Sequence, residues 1–277
     1  MARRRTVSRG TIIERLADDL RPLPYVQAFW EAGAAAFDRT DPWSDIDLYI
    51  VVDDDKIPET FAAVEKTLTA LSPIQLKHVE AWPSTSGIEQ AFYRLAKTDE
   101  YLLVDLAIMK LSAPDKFLAR EIHGDAVFLF NKRDAVEIPP LDMEGFVRAL
   151  LDRRKRVIER MELFGPFVPK EIHRGNWLEA LEFYRALVLQ SLVEALRMRH
   201  GPLHYDFRMR YVYRELPKDV VRRVERLAFV KDAKDLAAKH REAVAWFDKA
   251  IRAVDETQVR NMVSAATKKR RASETIS

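Results

Sequence analysis

The feature that most constrains the fold is a change of hydrophobic period near residue 140. Upstream of Ile138-Pro139-Pro140-Leu141, strand-like apolar runs are interspersed with helical spacing; downstream, only helical spacing is found. A two-residue period needs a sheet and a period near 3.6 needs a helix. A chain of 277 residues more often makes two modest domains than one. The spacing therefore predicts an α+β protein. Residues 1–140 are expected to form a small mixed β-sheet flanked by helices, and residues 141–277 an all-α domain ending in a disordered basic tail.

In the first part, Ile12, Ile13, Leu16 and Leu20 place a helix over residues 11–20, stopped by Arg21-Pro22-Leu23-Pro24. Residues 25–32 read as a strand leading to Gly33, residues 45–52 as a second strand, and residues 58–71 as an amphipathic helix. Residues 74–82 are expected to be extended. Residues 89–97 and 101–110 alternate around Thr98-Asp99-Glu100, which predicts an antiparallel hairpin, and residues 126–130 add a short strand. Beyond the boundary, helices are predicted over residues 142–164, 176–199, 219–229 and 232–254, with Pro217 and Asp232 marking two starts.

Chemistry concentrates in Ser44-Asp45-Ile46-Asp47-Leu48. On a strand, residues two apart share a face, so Asp45 and Asp47 project together while Ile46 and Leu48 point into the core. Two carboxylates on one face repel unless a cation sits between them, and hard oxygen ligands suit Mg2+. Asp105 is the one charged residue among Leu102, Leu103, Val104, Leu106, Ala107, Ile108 and Met109. Burying an unpaired carboxylate is costly. If its strand lies beside residues 45–52, three acids converge, a set able to hold two metal ions for an in-line phosphoryl displacement. The plainer reading is that either Asp of the pair caps a turn or meets an arginine, and that Asp105 pairs with a basic residue elsewhere in the sheet.

Gly33, followed after a short gap by Ser44-Asp45-Ile46-Asp47-Leu48 and an apolar strand, with a third acid on a later strand, resembles the signature of DNA polymerase β-like nucleotidyltransferases. The separation of Gly33 from Asp45 is similar to that of the kanamycin and streptomycin adenylyltransferases in that group. The resemblance implies metal ligation by Asp45, Asp47 and Asp105 and a nucleotide held near Gly33, Ala34 and Ser44. It implies Mg2+ or Mn2+ as cofactor and ATP as donor of a nucleotidyl group. The acceptor would be a hydroxyl on a small molecule, such as an aminoglycoside. One departure is Ala34, where the family has a serine that helps hold the triphosphate. Ala34 keeps the backbone N–H and loses the hydroxyl, a difference of about 1 kcal/mol in binding.

Other classes lack their signatures. No phosphate-binding Gly-x-x-x-x-Gly-Lys-Ser/Thr or Gly-x-Gly-x-x-Gly loop and no Gly-x-Ser-x-Gly elbow occurs. No run of about 18 apolar residues predicts a membrane span, and the basic start is not followed by an apolar signal stretch. The absence of cysteine excludes disulfides, thiolate metal sites and cysteine nucleophiles, and fits a cytoplasmic protein. The pI near 9.0 would suit a nucleic-acid binder. The charge, however, sits at the ends, in Arg3, Arg4, Arg5, Arg9, Lys268, Lys269, Arg270 and Arg271. With Glu274 these ends carry +7 of the net +3, leaving about −4 between them. They read as solvated tails, so nucleic acid is not the expected partner.

In the helical half, Glu179, Glu182 and Arg185 share one helix side. They form either a surface ion-pair ladder or a cleft, with Glu182 as a base and Arg185 against phosphate. Tyr205, Asp206 and Arg208 form a second cluster after a turn, read either as packing or as cleft lining. Two further readings stand beside the transferase: a catalytically weak nucleotide-binding regulatory protein, which Ala34 would suit, and an adenylyltransferase acting on protein or RNA.

Overall fold

The computed structural model describes residues 6–274. The chain folds as two compact units, Met1–Pro140 and Leu141–Ser277. The first is a mixed six-stranded sheet with flanking helices and the second is helical, an α+β protein.

Helix α1 (Arg9–Leu20) begins where the Ser8 hydroxyl accepts the backbone N–H of Thr11, satisfying one of the donors that the first turn leaves open. Strand β1 (Val26–Glu31) leads into a four-residue helix, α2 (Gly33–Ala36), and then β2 (Ile46–Val52). Helix α3 (Ile57–Leu71), β3 (Ile74–Glu80), β4 (Ile88–Leu95), β5 (Val104–Lys110), α4 (Arg120–His123) and β6 (Val127–Asn131) complete the unit. The strands lie in the order β3-β4-β5-β2-β1-β6. The β4–β5 pair is antiparallel as the alternation predicts, with Ile88 opposite Met109 and Tyr93 opposite Val104. β2 and β5 run parallel; the other pairs among the described residues are antiparallel.

One sheet face packs on α1 and α3. Ile12, Leu16 and Leu20 meet Phe29, Ile46, Leu48 and Ile50 there, with Val64, Leu68, Val104, Leu106 and Ile108 in the same core. Burying each such side chain stabilises by about 1.5–3 kcal/mol. The opposite face holds Ala28, Trp30, Val51, Ala107 and Met109 under Leu118 and Val136. The β2 and β5 residues sort between the two faces as their alternation requires.

The helical unit comprises α5 (Met143–Phe164), α6 (Phe167–Arg174), α7 (Trp177–Phe183), α8 (Gln190–His200), α9 (Val212–Glu215), α10 (Lys218–Ala228), α11 (Ala233–Arg252) and α12 (Glu256–Glu274). Asp142 and Asp232 cap α5 and α11 by accepting the N–H groups of Gly145 and Asp235. The predicted single helix over residues 176–199 instead passes through a π-helical segment, Tyr184–Leu189, between α7 and α8. An inserted residue of that kind shifts the phase of the apolar stripe without ending the helix.

The expectation of basic tails is corrected at two places. Arg9 belongs to α1, where Ser8 caps the helix. Lys268 and the basic residues after it fall within α12, a stretch without Gly or Pro in which Ala, Lys, Arg and Glu all favour helix. Arg3, Arg4 and Arg5 lie outside the described residues. Among the described residues no helix is long and apolar enough to cross a membrane.

Candidate active site

The parallel pairing of β2 with β5 puts Asp47 directly opposite Asp105. Register partners on neighbouring strands point to the same face, and the strands lie about 4.8 Å apart. Both side chains are half-buried and stand on the face that carries Ala107 and Met109 further along. Asp45 precedes β2 by one residue, where the Ile46 N–H donates to the Leu103 carbonyl at 2.9 Å. Its outer edge is exposed, yet partial desolvation pushes its carboxyl above the ordinary range. A backbone hydrogen bond at Leu103 and the charge of Arg9 oppose that rise.

Gly33 is fitted to this arrangement. Its φ is +54°, and a Cβ built on it would lie 1.8 Å from Oδ2 of Asp47. No side chain can stand at this position while the carboxylate stays where it is, so the chain turns into α2 directly against Asp47. Ala34 accepts the N–H groups of Phe37 and Arg39 through its carbonyl. The Ser44 hydroxyl is engaged locally: it donates to Asp41 Oδ1 and accepts the Asp41 N–H, both at 2.9 Å. Asp41 thus ties the turn before β2, and Ser44 helps shape that turn.

Two residues of the neighbourhood escape sequence reasoning. Arg9 reaches from the first turn of α1 to Glu31 at the end of β1 and to the carbonyls of Ser44 and Asp45. Burial lowers its pKa, while the charges of Asp47 and then Asp45 raise it. It pins the turn that carries Asp45 and places a cation beside the acids. The signal that could have found it is Ser8, a helix cap immediately before it. Gln90 is the second. It sits opposite Ala107 on β4, so Asp105 is its diagonal neighbour on the same face. The Trp82 indole N–H donates to Gln90 Oε1 at 2.9 Å, and Gln90 Nε2 donates to Asp105 Oδ1 at 2.6 Å. The tryptophan fixes which end of the amide faces Asp105.

Among the described residues no three His, Asp or Glu side chains gather into a group that could hold a metal as they stand. The fold supplies two carboxylates side by side with a third two residues earlier. That donor set fits Mg2+, which commonly takes one or two protein carboxylates and completes its octahedron with water and substrate phosphates.

The candidate residues of the helical unit do not form one cluster. Tyr205 is half-buried and Asp206 exposed, and both line a cavity within that unit together with Arg208. Arg185 lines a different, mostly apolar groove. Glu182 is exposed and lines neither cavity. No ion pair joins Glu179, Glu182 and Arg185 among the described residues, so the surface ladder does not form.

No family model and no curated protein matches the chain. Among solved structures, the chain is similar to the aminoglycoside 6-adenyltransferase from Bacillus subtilis (11% identity, 92% of this chain and 97% of that one, TM-score 0.35). It is similar to a nucleotidyltransferase-like protein from Exiguobacterium sibiricum 255-15 (13% identity, 86% and 74%, TM-score 0.35). A third is the spectinomycin adenyltransferase from Enterococcus faecialis with ATP and spectinomycin (11% identity, 93% and 100%, TM-score 0.37).

Proposed function

We propose that the chain is a metal-dependent nucleotidyltransferase that moves a nucleotidyl group, AMP from ATP, to a hydroxyl of a small-molecule acceptor. The observation that carries the reading is the pairing of Asp47 with Asp105 on adjacent parallel strands, with Asp45 just ahead and the Gly33 backbone against Asp47. Adjacent carboxylates on one face repel; Arg9 offsets part of that charge, and a bound divalent cation would offset more. ATP and a small hydroxyl acceptor are the substrates that the Gly33…Asp47 resemblance implies.

Asp45, Asp47 and Asp105 would hold Mg2+, or Mn2+ in its place, which would neutralise charge building on the phosphates. The acceptor oxygen attacks the α-phosphorus. The bond from that phosphorus to the β-bridging oxygen breaks, and pyrophosphate leaves with the electron pair. The hydroxyl proton passes to Asp105, whose carboxylate Gln90 orients through Oδ1. The protein's part is positioning and charge neutralisation.

Incubation with ATP, Mg2+ and a panel of hydroxyl acceptors including aminoglycosides should release pyrophosphate and yield an adenylylated product by mass spectrometry. Calorimetry should show ATP bound far more tightly with Mg2+ than in excess chelator; equal affinity in the two would refute the metal-dependent reading. Ala34 favours a second reading, a nucleotide-binding protein without turnover. That reading predicts ATP binding without pyrophosphate release from any acceptor.

Gly33→Ala tests the close approach. The left-handed backbone costs an alanine about 1–2 kcal/mol, and the methyl group must move the Asp47 carboxylate. Turnover should fall on the order of a hundredfold, as it does when reacting groups are misplaced by about 1 Å, with a small drop in Tm. Wild-type turnover in this variant would show that the placement of Asp47 is immaterial.

A further inference from the structure

The helical unit contains a polar cavity of about 370 Å³, within the range of small-molecule pockets, roughly 300–1,000 Å³. Arg153 and Arg160 reach it from α5, two turns apart and so on one side of the helix. Glu194 reaches it from α8, and Tyr205, Asp206 and Arg208 from the loop that follows. These groups are not equivalent. Arg153 and Glu194 are bound to each other by two parallel hydrogen bonds, one of them 3.0 Å long, and largely cancel. Arg160 is steered by the Ala186 carbonyl at 2.9 Å, inside the π-helical segment. Neither Arg160 nor Arg208 has a carboxylate partner among the described residues, and neither has Asp206 a basic one. The cavity is left with two guanidiniums and one carboxylate outside any close ion pair, with Asp206 near enough to Arg153 to act on its charge.

The wall is held in place beforehand. Arg197, fully buried, donates to the carbonyls of His204, Arg208 and Arg210, the loop that bears Tyr205, Asp206 and Arg208. The Tyr205 ring packs edge-on against Phe146 at 6.0 Å. Desolvation, Asp206 and Glu194 push the Tyr205 phenol up, so it remains a hydrogen-bond donor. Two guanidiniums lining one cavity suit a phosphate or carboxylate, and a carboxylate outside a close ion pair suits an ammonium or hydroxyl.

We propose that this cavity is a binding site for a small anion that also carries an amine or hydroxyl, its acidic group between Arg160 and Arg208 and its donor end toward Asp206. The site lies wholly within the helical unit and does not depend on nucleotidyl transfer.

Calorimetry on the full chain with phosphoethanolamine, inorganic phosphate and ethanolamine tests it. Phosphoethanolamine should bind most tightly, phosphate more weakly and ethanolamine least. Arg208→Ala, which removes an exposed side chain with no ion-pair partner, should weaken phosphoethanolamine at least about tenfold, the loss expected of one charge-assisted contact. Arg160→Ala should do the same. Asp206→Asn should bring phosphoethanolamine down toward phosphate and leave phosphate itself no weaker. Asp47→Asn should change none of these affinities. No binding of phosphoethanolamine at about 10 mM, weaker than any useful site, would overturn the proposal. So would binding that survives both arginine variants or is lost in Asp47→Asn, since the anion would then sit elsewhere.

Discussion

Asp47→Asn should reduce nucleotidyl transfer on the order of a thousandfold or more, because in the proposed site it removes a ligand charge where phosphate charge would develop. The fold should survive. The substitution is nearly isosteric, and Asp47 faces Asp105 across one strand spacing rather than a hydrophobic partner. In metal-free protein it relieves like-charge repulsion, partly offset by the lost attraction to Arg9, so Tm should not fall. The measurement is pyrophosphate release at saturating ATP beside a melting curve. Full turnover with an unchanged melting curve would remove Asp47 from the chemistry and, with it, the reason for a metal.

Arg197→Leu should produce the largest loss of stability. The guanidinium is fully buried. It bonds three loop carbonyls and Glu215, the last at 2.8 Å, and Glu215 also meets His204 at 3.0 Å. Leucine fills much of the space but strands those acceptors. Removing one partner of a buried ion pair costs about 3–5 kcal/mol, which for a chain of this size lowers Tm by roughly 10 °C. A double change, Arg197→Leu with Glu215→Leu, should recover part of the loss, because no buried charge is then left unpaired. A single variant melting within a degree or two of wild type would mean that water already serves these groups.

The strands are legible in the sequence because alternation and burial coincide: Ile46, Leu48 and Ile50 are buried on one side of β2 while Asp47 and Tyr49 are not. Asp105 is legible as a single charge in an apolar run. Its position opposite Asp47 is not, because register between distant strands is set by the whole sheet rather than by either strand alone. Gln90 is hidden for the same reason. Arg9 misleads by proximity: it follows three arginines in sequence, yet the Ser8 cap makes it the first residue of a packed helix. The π-helical segment Tyr184–Leu189 interrupts a stretch whose apolar spacing still reads as helix, so nothing local marks it. Helix α6 is only eight residues long, too short for its period to stand out.

The parallel pairing of β2 with β5 also dictates when the acids can meet. β1 and β2 are neighbours in both sequence and space, so their contact closes a short loop. Asp47 and Asp105 are 58 positions apart, with α3, β3 and β4 between them in the chain. Closing so long a loop is slow, and its entropy is lost before the contact rewards it. By this argument the acidic pair should assemble after the short-range β1–β2 contact and before the longer β1–β6 closure. A chain in which β2 and β5 are unpaired keeps the two carboxylates apart in water. At the proposed metal site, metal capture during refolding should report the β2–β5 pairing rather than the initial collapse.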